Sequence, residues 1–349
     1  MTSPTSRLNV TVLPSSRSFD IAPDELILSA AIRQGVGLPY GCKDGACGSC
    51  KCKKLQGETH MLSYASKALS AEELQEGYIL TCRAKALTPV TIESRQVTLA
   101  DAFPIRKMPT RVTSLTRVSH DVMQVQLQLP AMEAFQYHAG QYVEFLLKDG
   151  SRRAYSVAIA PHEQAISPRL ELHIRHFPGG LFTDHVFGSM KEKEILRIEG
   201  PFGSFYLRED TDKPIILLAS GTGFAPIKAI LEHAAHRQIT RPIHFYWGGR
   251  RPNDLYLDTW LQEKAHDLPQ LRYIPVISDA QPEDAWQGRT GFVHQAVLED
   301  FDSLAGYQVY ACGAPIVIDR AHRAYTSLRG LPPEQFFADA FTTAADLAA

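Results

Sequence analysis

Four cysteines in the N-terminal third of the chain have the spacing of a metal-cluster site. Cys42, Cys47 and Cys50 form a C-x4-C-x2-C motif, and Cys82 follows after 31 further residues. This spacing is typical of plant-type [2Fe-2S] clusters, in which four thiolates hold two irons. Glycines within the motif allow the backbone to curl around such a cluster. We therefore predict a [2Fe-2S] site; the alternatives are a structural zinc ion, whose ligands usually come in paired short-spaced knuckles, and reduced free cysteines.

A second group of residues could bind a flavin. Arg153, Tyr155 and Ser156 lie on a predicted strand, whose two-residue period turns Arg153 and Tyr155 to the same side. Further along, a second strand leads through a glycine pair into a helix, and the N–H groups at such a helix start can bind phosphate. The candidate residues of this segment are Arg175, Gly179, Gly180 and Thr183. An ordinary strand and an ordinary turn are the alternatives for the two pieces taken singly.

A third group could bind a dinucleotide. Residues 215–219 and 308–311 are runs typical of buried strands. Ligands of open parallel sheets bind beyond the carboxyl ends of the strands, so the residues that follow these runs are candidates. They are Gly221, Thr222, Gly223, Pro226, Cys312 and Gly313. The glycine turn is not the full G-x-G-x-x-G fingerprint, and Cys312 taken alone is better explained as a small buried residue.

Three segments with different periodicity must position these groups. Residues 1–97 show short strands around one helix, and a proline-bracketed linker is predicted over 98–108. Residues 109–210 show strand-like segments with one helix over about 181–186, which predicts an antiparallel β-barrel. Residues 211–349 alternate strands and helices, which predicts a parallel sheet. The predicted fold class is therefore multidomain, with an α+β domain, a β-barrel and an α/β domain.

The composition excludes several classes of protein. The chain has 349 residues, too many for one core, and its 36 basic and 38 acidic residues give a net charge of -2, which offers no electrostatic basis for binding nucleic acid or lipid. No apolar run approaches the ~20 residues of a membrane span. The first seven residues lack the apolar core of a secretory signal, so we expect a cytoplasmic protein. Five of the six cysteines cluster in sequence, and in a cytoplasmic protein such a cluster indicates metal binding rather than disulfides.

Four longer stretches support a resemblance to a known family. They are LPYGCKDGACGSC (38–50), GGLFTDH (179–185), YWGGRR (246–251) and FADAF (337–341). With the motifs above, they resemble the ferredoxin-reductase type oxidoreductases in which a plant-type ferredoxin precedes flavin and nucleotide domains. The likeness is greatest to the CDP-6-deoxy-Δ3,4-glucoseen reductases, and the reductase components of phenol hydroxylases and ring-hydroxylating dioxygenases are similar too. The resemblance implies a β-grasp ferredoxin, a six-stranded FAD barrel and a pyridine-nucleotide domain.

The resemblance also implies roles for the candidate residues. The four motif cysteines would bind [2Fe-2S]. Arg153, Tyr155 and Ser156 would hold FAD, with Arg153 on the pyrophosphate and Ser156 near N5, and Gly180 and Thr183 would contact the phosphates.

In the nucleotide domain, the resemblance implies that residues 221–223 and Pro226 line an NADH cleft and that Cys312 and Gly313 face the nicotinamide. Ser156 and Cys312 are thus the candidate catalytic residues. Phe341 would lie against the isoalloxazine, although eight residues follow it.

The implied function is electron transfer. NADH gives up two electrons as hydride and a [2Fe-2S] centre accepts one, so FAD would mediate between them, and the cluster would reduce a partner protein. A deoxysugar 3-dehydrase and an aromatic-ring oxygenase component are both compatible partners. NADH is predicted over NADPH, although Arg250 and Arg251 lie where a 2'-phosphate could be bound. The alternative function is a non-catalytic redox sensor or iron-sulfur electron-transfer subunit.

Overall fold

Two compact units make up the chain in a computed structural model that describes residues 7–97, 103–131, 134–343 and 346. One unit comprises the residues up to Phe103 together with those from Asp339 onward. The other unit comprises Pro104–Ala338. Residues 98–102 of the predicted linker lie outside the described residues.

The first unit is built on a five-stranded mixed sheet in the order β2-β1-β7-β3-β5, beside a two-stranded sheet of β4 and β6. Only the β1–β7 pair is parallel. Its strands are β1 (Leu8–Leu13), β2 (Arg17–Ile21), β3 (Lys51–Gln56), β4 (Thr59–Met61), β5 (Tyr78–Leu80), β6 (Ala84–Ala86) and β7 (Val90–Glu93), and its helices are α1 (Ile27–Arg33) and α2 (Ala71–Gln75).

Helix α1 covers the core of this unit because its apolar residues follow the helical period. Ile27, Leu28, Ala30 and Ala31 are all buried and share one core with the inward-facing residues of the sheet. Three cysteines belong to the same core, namely Cys50, Cys52 and Cys82. The loop between α1 and β3, which carries the cysteine motif, is therefore anchored at its far end in apolar packing.

The second unit begins with an antiparallel six-stranded sheet in the order β11-β10-β13-β8-β9-β12. A bridge between Val157 and Leu172 joins the two ends of the sheet, which closes it into a barrel around an apolar core. The elements are β8 (Arg106–Arg117), β9 (Val122–Gln128), β10 (Tyr142–Leu146), β11 (Arg152–Ser156), α3 (Pro161–Ile166), β12 (Arg169–Arg175), α4 (Leu181–Gly188) and β13 (Ile195–Phe202).

Two features of this barrel differ from the sequence-based expectation. Helix α3 was not predicted, because Gln164 is its only buried residue and it therefore lacks an apolar stripe. Strand β8 begins at Arg106, inside the predicted linker. Pro109 pairs there with Arg197 of β13, and the pairing of β8 with β9 begins only at Arg111, so the missing N–H of the proline breaks no ladder bond on that side.

The second unit continues with a six-stranded sheet in the order β17-β16-β15-β14-β18-β19. The neighbouring strands from β17 through to β18 in this order all run parallel. Strand β14 is buried almost throughout, as expected for the centre of a parallel sheet. The elements are β14 (Ile215–Ser220), α5 (Phe224–His236), β15 (Ile243–Gly249), α6 (Asp258–Asp267), β16 (Leu271–Ile277), β17 (Arg289–Thr290), α7 (Val293–Asp300), β18 (Gln308–Gly313), α8 (Pro315–Arg329) and β19 (Phe336–Ala340).

These three sheets confirm the predicted fold class of an α+β domain, an antiparallel barrel and a parallel α/β domain. Because β14, β15 and β18 are parallel neighbours, their carboxyl ends lie at one edge of the sheet, where the candidate dinucleotide residues follow them. Among the described residues, no helix is both long and apolar enough to cross a bilayer.

Candidate functional site

The four motif cysteines lie in two pairs. The N–H of Cys42 donates to the Sγ of Cys47 and the N–H of Cys47 donates to the Sγ of Cys42, each over 3.4 Å. The Sγ atoms of Cys50 and Cys82 are 3.2 Å apart. Across the described chain, no three or more His, Cys, Asp or Glu side chains surround one ion position. Two pairs of thiols suit two irons that each take two thiolates, rather than one zinc that takes four.

Backbone conformation explains how one loop supplies three of these thiols. Gly45 and Gly48 have φ of +90° and +77°, which residues with a side chain rarely adopt. A Cβ on Gly45 would also lie 2.9 Å from Cγ of Arg83. Lys43 adopts φ of 64° as a non-glycine residue. The loop therefore turns sharply enough to direct both sulfur atoms and amide N–H groups to its inner side.

The two thiols of the first pair differ in acidity. Hydrogen bonding to Cys42 lowers the pKa of the Cys47 thiol to about 6, although burial opposes its ionisation. The same hydrogen bond raises the pKa of Cys42. Cys52 is not part of either pair; burial raises the pKa of its thiol to about 12. Burial therefore favours the thiol form of Cys52, which fits its place outside the two pairs.

The predicted flavin residues lie on two neighbouring elements of the barrel. The ring of Tyr155 on β11 is 5.9 Å from that of Phe145 and 5.6 Å from that of Phe182 on α4. Arg153 projects from the same side of β11, and Ser156 is buried at its end. The structure thus brings the β11 residues next to the helix that follows the glycine pair.

The turn before α4 is held by its own side chains. The hydroxyl of Thr183 donates to the carbonyl oxygen of Phe177 over 2.9 Å and accepts from the Phe177 N–H over 3.2 Å. Gly179 has φ of +84°, and its N–H donates to the carboxylate of Asp184 over 3.0 Å. Gly180 precedes the helix as its N-cap residue. Thr183 therefore shapes the turn, and the N–H groups of the first helical turn point outward from its N-terminus.

Arg175 connects the barrel to the candidate dinucleotide loop, residues 221–223. Its Nε donates to Oδ2 of Asp121 over 2.6 Å, which orients the guanidinium. A Cβ on Gly221 would lie 2.6 Å from Nη1 of Arg175, so the guanidinium packs directly on the Gly221 backbone. A positive charge at this place suits a phosphate group. Sequence analysis did not connect Asp121 with Arg175, because no motif links the two residues.

The candidate dinucleotide residues converge at the edge of the parallel sheet. Residues Gly221–Gly223 form a 3₁₀ turn between β14 and α5. A Cβ on Gly223 would lie 2.2 Å from the carbonyl oxygen of Cys312, and a Cβ on Gly313 would lie 2.4 Å from that of Ser220. The Ser220 hydroxyl accepts from the Ala314 N–H over 2.8 Å, which ties the two turns together.

The remaining residues of this group are largely covered by protein. Thr222 and Pro226 are buried, and Cys312 has 0% exposed surface at the end of β18. The Nε1 of Trp247 donates to the carbonyl oxygen of Gly221 over 3.0 Å, a contact that no sequence motif predicts. Phe341 is half-buried and falls in the unit that holds the cysteine loop, so its stacking on a flavin stays a prediction.

Comparison with protein families matches each part of the chain to one domain type. Residues 10–87 match the 2Fe-2S iron-sulfur cluster binding domain, residues 109–206 the oxidoreductase FAD-binding domain, and residues 217–323 the oxidoreductase NAD-binding domain.

Similar proteins match this chain over nearly its whole length. CDP-6-deoxy-L-threo-D-glycero-4-hexulose-3-dehydrase reductase of Yersinia pseudotuberculosis is 38% identical over 96% of this chain and 98% of its own length. The chain belongs to the ferredoxin-reductase type oxidoreductases. Reductase component 1 of the terephthalate 1,2-dioxygenase of Comamonas is 36% identical to this reductase over 94% of the chain and 96% of its own length. The crystal structure of the Amycolatopsis cytochrome P450 reductase GcoB superposes on this chain with a TM-score of 0.77 at 32% identity. The match covers 96% of this chain and 99% of GcoB.

Family membership confirms the predicted cofactors [2Fe-2S], FAD and NADH, and it confirms that the reductase is an NAD(P)H-dependent oxidoreductase that passes electrons to a partner. Three features fit these cofactors: the paired cysteine thiols, the aromatic rings of Tyr155 and Phe182, and the glycines at the sheet edge that bring the two turns together. The named relatives are reductases, which favours the enzyme over the redox-sensor alternative.

Replacing one paired cysteine should remove the cluster. We expect Cys82→Ser to lower bound iron from about two atoms per chain to nearly none, because Cys50 would lose the thiolate beside it. Iron and acid-labile sulfide assays with the visible spectrum measure this. Cys52→Ser changes a buried cysteine outside the pairs and should keep both irons. Equal iron loss in the two variants would contradict the assignment.

A side chain at Gly223 should impair the dinucleotide site. The Cβ of Gly223→Ala would overlap the Cys312 carbonyl, so the two turns must separate. We expect kcat/KM for NADH to fall at least about tenfold. Steady-state kinetics with an artificial electron acceptor measure it. Gly306→Ala is the control, since a Cβ there meets nothing within 4 Å; unchanged kinetics in Gly223→Ala would refute the role of this approach.

Proposed function

We propose that the reductase supplies electrons from NADH to a separate deoxysugar 3-dehydrase. The identity of 38% to a hexulose-3-dehydrase reductase over nearly both full chains is the observation that carries the proposal. An aromatic-ring oxygenase component is the second candidate, favoured by the 36% identity to a terephthalate dioxygenase reductase component. Both partners would accept electrons singly, which is why the chain carries an iron-sulfur domain beside its flavin domain.

The chain's own residues have the properties that each cofactor needs. Bound together, the cofactors supply the conversion of a two-electron hydride donation into single-electron transfers. Arg153 and Arg175 would neutralise phosphate charge, and Ser156 is buried at the end of β11, where we place it beside the flavin ring system. Cys312 would lie against the nicotinamide once the residues that fully cover its side chain in this structure move aside. The paired cysteines of the first unit would hold the irons.

The charges around Arg251 support NADH as the donor. Its Nε and Nη2 each bond the carboxylate of Asp284 over 2.7 Å, and Nη2 also bonds Glu283 over 3.0 Å. Two carboxylates therefore offset the charge of the guanidinium, which would otherwise attract a 2'-phosphate. The N–H of Asp279 donates to the carbonyl of Arg250 over 2.9 Å, which places a further acidic residue beside this segment.

Removing one of these carboxylates should shift the preference toward NADPH. Asp284→Asn frees part of the Arg251 charge, so we expect the ratio of kcat/KM for NADPH to that for NADH to rise about fivefold. Steady-state kinetics with both nucleotides measure the ratio. Glu299→Gln alters a similar pair, that of Glu299 with Arg289, and should leave the ratio unchanged. A ratio that does not move in Asp284→Asn would contradict this explanation.

Reconstituted turnover tests the partner. The purified reductase, NADH and a purified hexulose 3-dehydrase should together convert the dehydrase substrate, and omission of the reductase should stop conversion. An aromatic-ring oxygenase, supplied in the same assay, should turn over much more slowly. If the reductase supported turnover of the oxygenase but not of the dehydrase, the proposal would be reversed. If NADH did not bleach the flavin under anaerobic conditions, electron donation by NADH would be refuted.

Two further assignments belong to this proposal. We place the domain boundaries at 97/98, 108/109 and 210/211, which leave the matched family segments undivided. Two structural bounds differ from these: strand β8 begins at Arg106, and the residues from Asp339 onward belong to the first compact unit. We also propose a cytoplasmic location. Six cysteines outside disulfides fit a reducing compartment.

A further inference from the structure

Strand β12 carries three polar side chains toward the nucleotide-binding part of its unit. Glu171, His173 and Arg175 alternate along the strand and therefore project from the same face. Each makes a contact outside the barrel: Glu171 with Lys228 of α5, His173 with Tyr256, and Arg175 with the Gly221 backbone. The strand that precedes the flavin turn thus also touches the elements around the dinucleotide loop.

The charges in this contact are largely buried, and one ammonium pairs with two carboxylates. Nζ of Lys228 lies 3.1 Å from Oε1 of Glu171 and 2.7 Å from Oε1 of Glu232, and it donates to the carbonyl of Ala158 over 3.0 Å. Although burial opposes ionisation, the hydrogen bond from His173 and the charge of Lys228 lower the pKa of Glu171 to about 2. Buried charge pairs add little net stability, so orientation is the stronger reason to keep them.

The hydrogen bonds of His173 have one consistent direction. Its side chain has 0% exposed surface, and burial lowers its pKa, so the imidazole is neutral. Nε2 lies 3.1 Å from Oε1 of Glu171, which can only accept, so Nε2 carries the proton. Nδ1 therefore accepts from the hydroxyl of Tyr256 over 2.9 Å. Burial raises the pKa of Tyr256, which keeps that donor protonated.

Tyr256 in turn packs on the residues that support the dinucleotide loop. Its ring lies edge-on to Trp247 at 5.3 Å, and Trp247 stacks on Phe224 at 4.2 Å. Trp247 donates to the carbonyl of Gly221, and Phe224 is the first residue after the loop. The contacts thus run from barrel strand β12 through Tyr256 and Trp247 to the loop. Lys228 on the helix after the loop, α5, pairs with Glu171 of the same barrel strand.

We propose that His173 and Tyr256 are positioning residues that fix the 221–223 loop relative to barrel strand β12 during hydride transfer. The inference rests on the proposed assignment of this loop to NADH. Neither side chain need touch NADH or the flavin. Their hydrogen bond sets the distance between the 221–223 loop, which would bind NADH, and strand β12, which leads to the flavin turn. Small misplacements of reacting groups slow a reaction strongly.

Two substitutions break this bond from opposite ends. Tyr256→Phe removes the donor, and His173→Gln keeps an N–H for Glu171 but removes the Nδ1 acceptor. In anaerobic stopped-flow reduction of the flavin by NADH, each should lower the limiting rate about tenfold and leave the apparent Kd for NADH nearly unchanged. The double variant should be no slower than either single variant, because only one bond is lost.

Tyr273→Phe is the matched control. Tyr273 lies on β16 of the parallel sheet, and its hydroxyl donates to Asp258 of α6 over 2.6 Å, a bond that touches neither the loop nor the barrel. We expect Tyr273→Phe to lose this partly buried hydrogen bond, and with it some thermal stability, without a change in the limiting rate. FAD content and melting temperature, measured on all variants, separate a loss of folding from a loss of rate.

The outcomes distinguish the positioning role from the function beneath it. Unchanged limiting rates in Tyr256→Phe and His173→Gln, an effect confined to Kd, or additive losses in the double variant would each overturn the positioning role while leaving an NADH-reducible protein. If NADH did not reduce the flavin of the unaltered reductase, the proposed function would be wrong and the positioning role with it.

Discussion

At the carboxyl edge of the parallel sheet, the turns at the ends of β14 and β18 approach each other so closely that Gly223 and Gly313 have no room for a side chain. Gly223 faces the Cys312 carbonyl and Gly313 faces Ser220, and a Cβ at either glycine would lie within 2.4 Å of an oxygen. The Ser220 hydroxyl then bonds the Ala314 N–H. Because α5 and α8 start from these turns, the close approach fixes two helix positions, and through Lys228 of α5 it fixes the contact with the barrel.

Much of the site could be predicted from sequence because its parts are local. The cysteine motif, the glycine turn after β14 and the glycine pair before α4 each occupy a short stretch, and their chemistry is visible in residue type and spacing. The three sheets could be predicted for the same reason, since a period of two, a helical period and their alternation are local patterns. Helix α3 was missed because it has no apolar stripe.

Contacts between distant segments could not be predicted. Asp121 and Arg175 are 54 residues apart, and His173 and Tyr256 are 83 apart, with no motif to connect them. His173 lies on strand β12 with a fully buried side chain, and its polar partners are Glu171 of the same strand and the distant Tyr256. Thr183 was expected to contact phosphate, yet its hydroxyl is engaged within its own turn.

The cysteine-bearing unit is discontinuous in sequence, because residues from Asp339 onward belong to it as well as the N-terminal residues. Lys67 pairs there with Asp346. An N-terminal fragment ending near residue 97 would consequently lack the residues from Asp339 onward that complete this compact unit, and Lys67 would lose its partner Asp346.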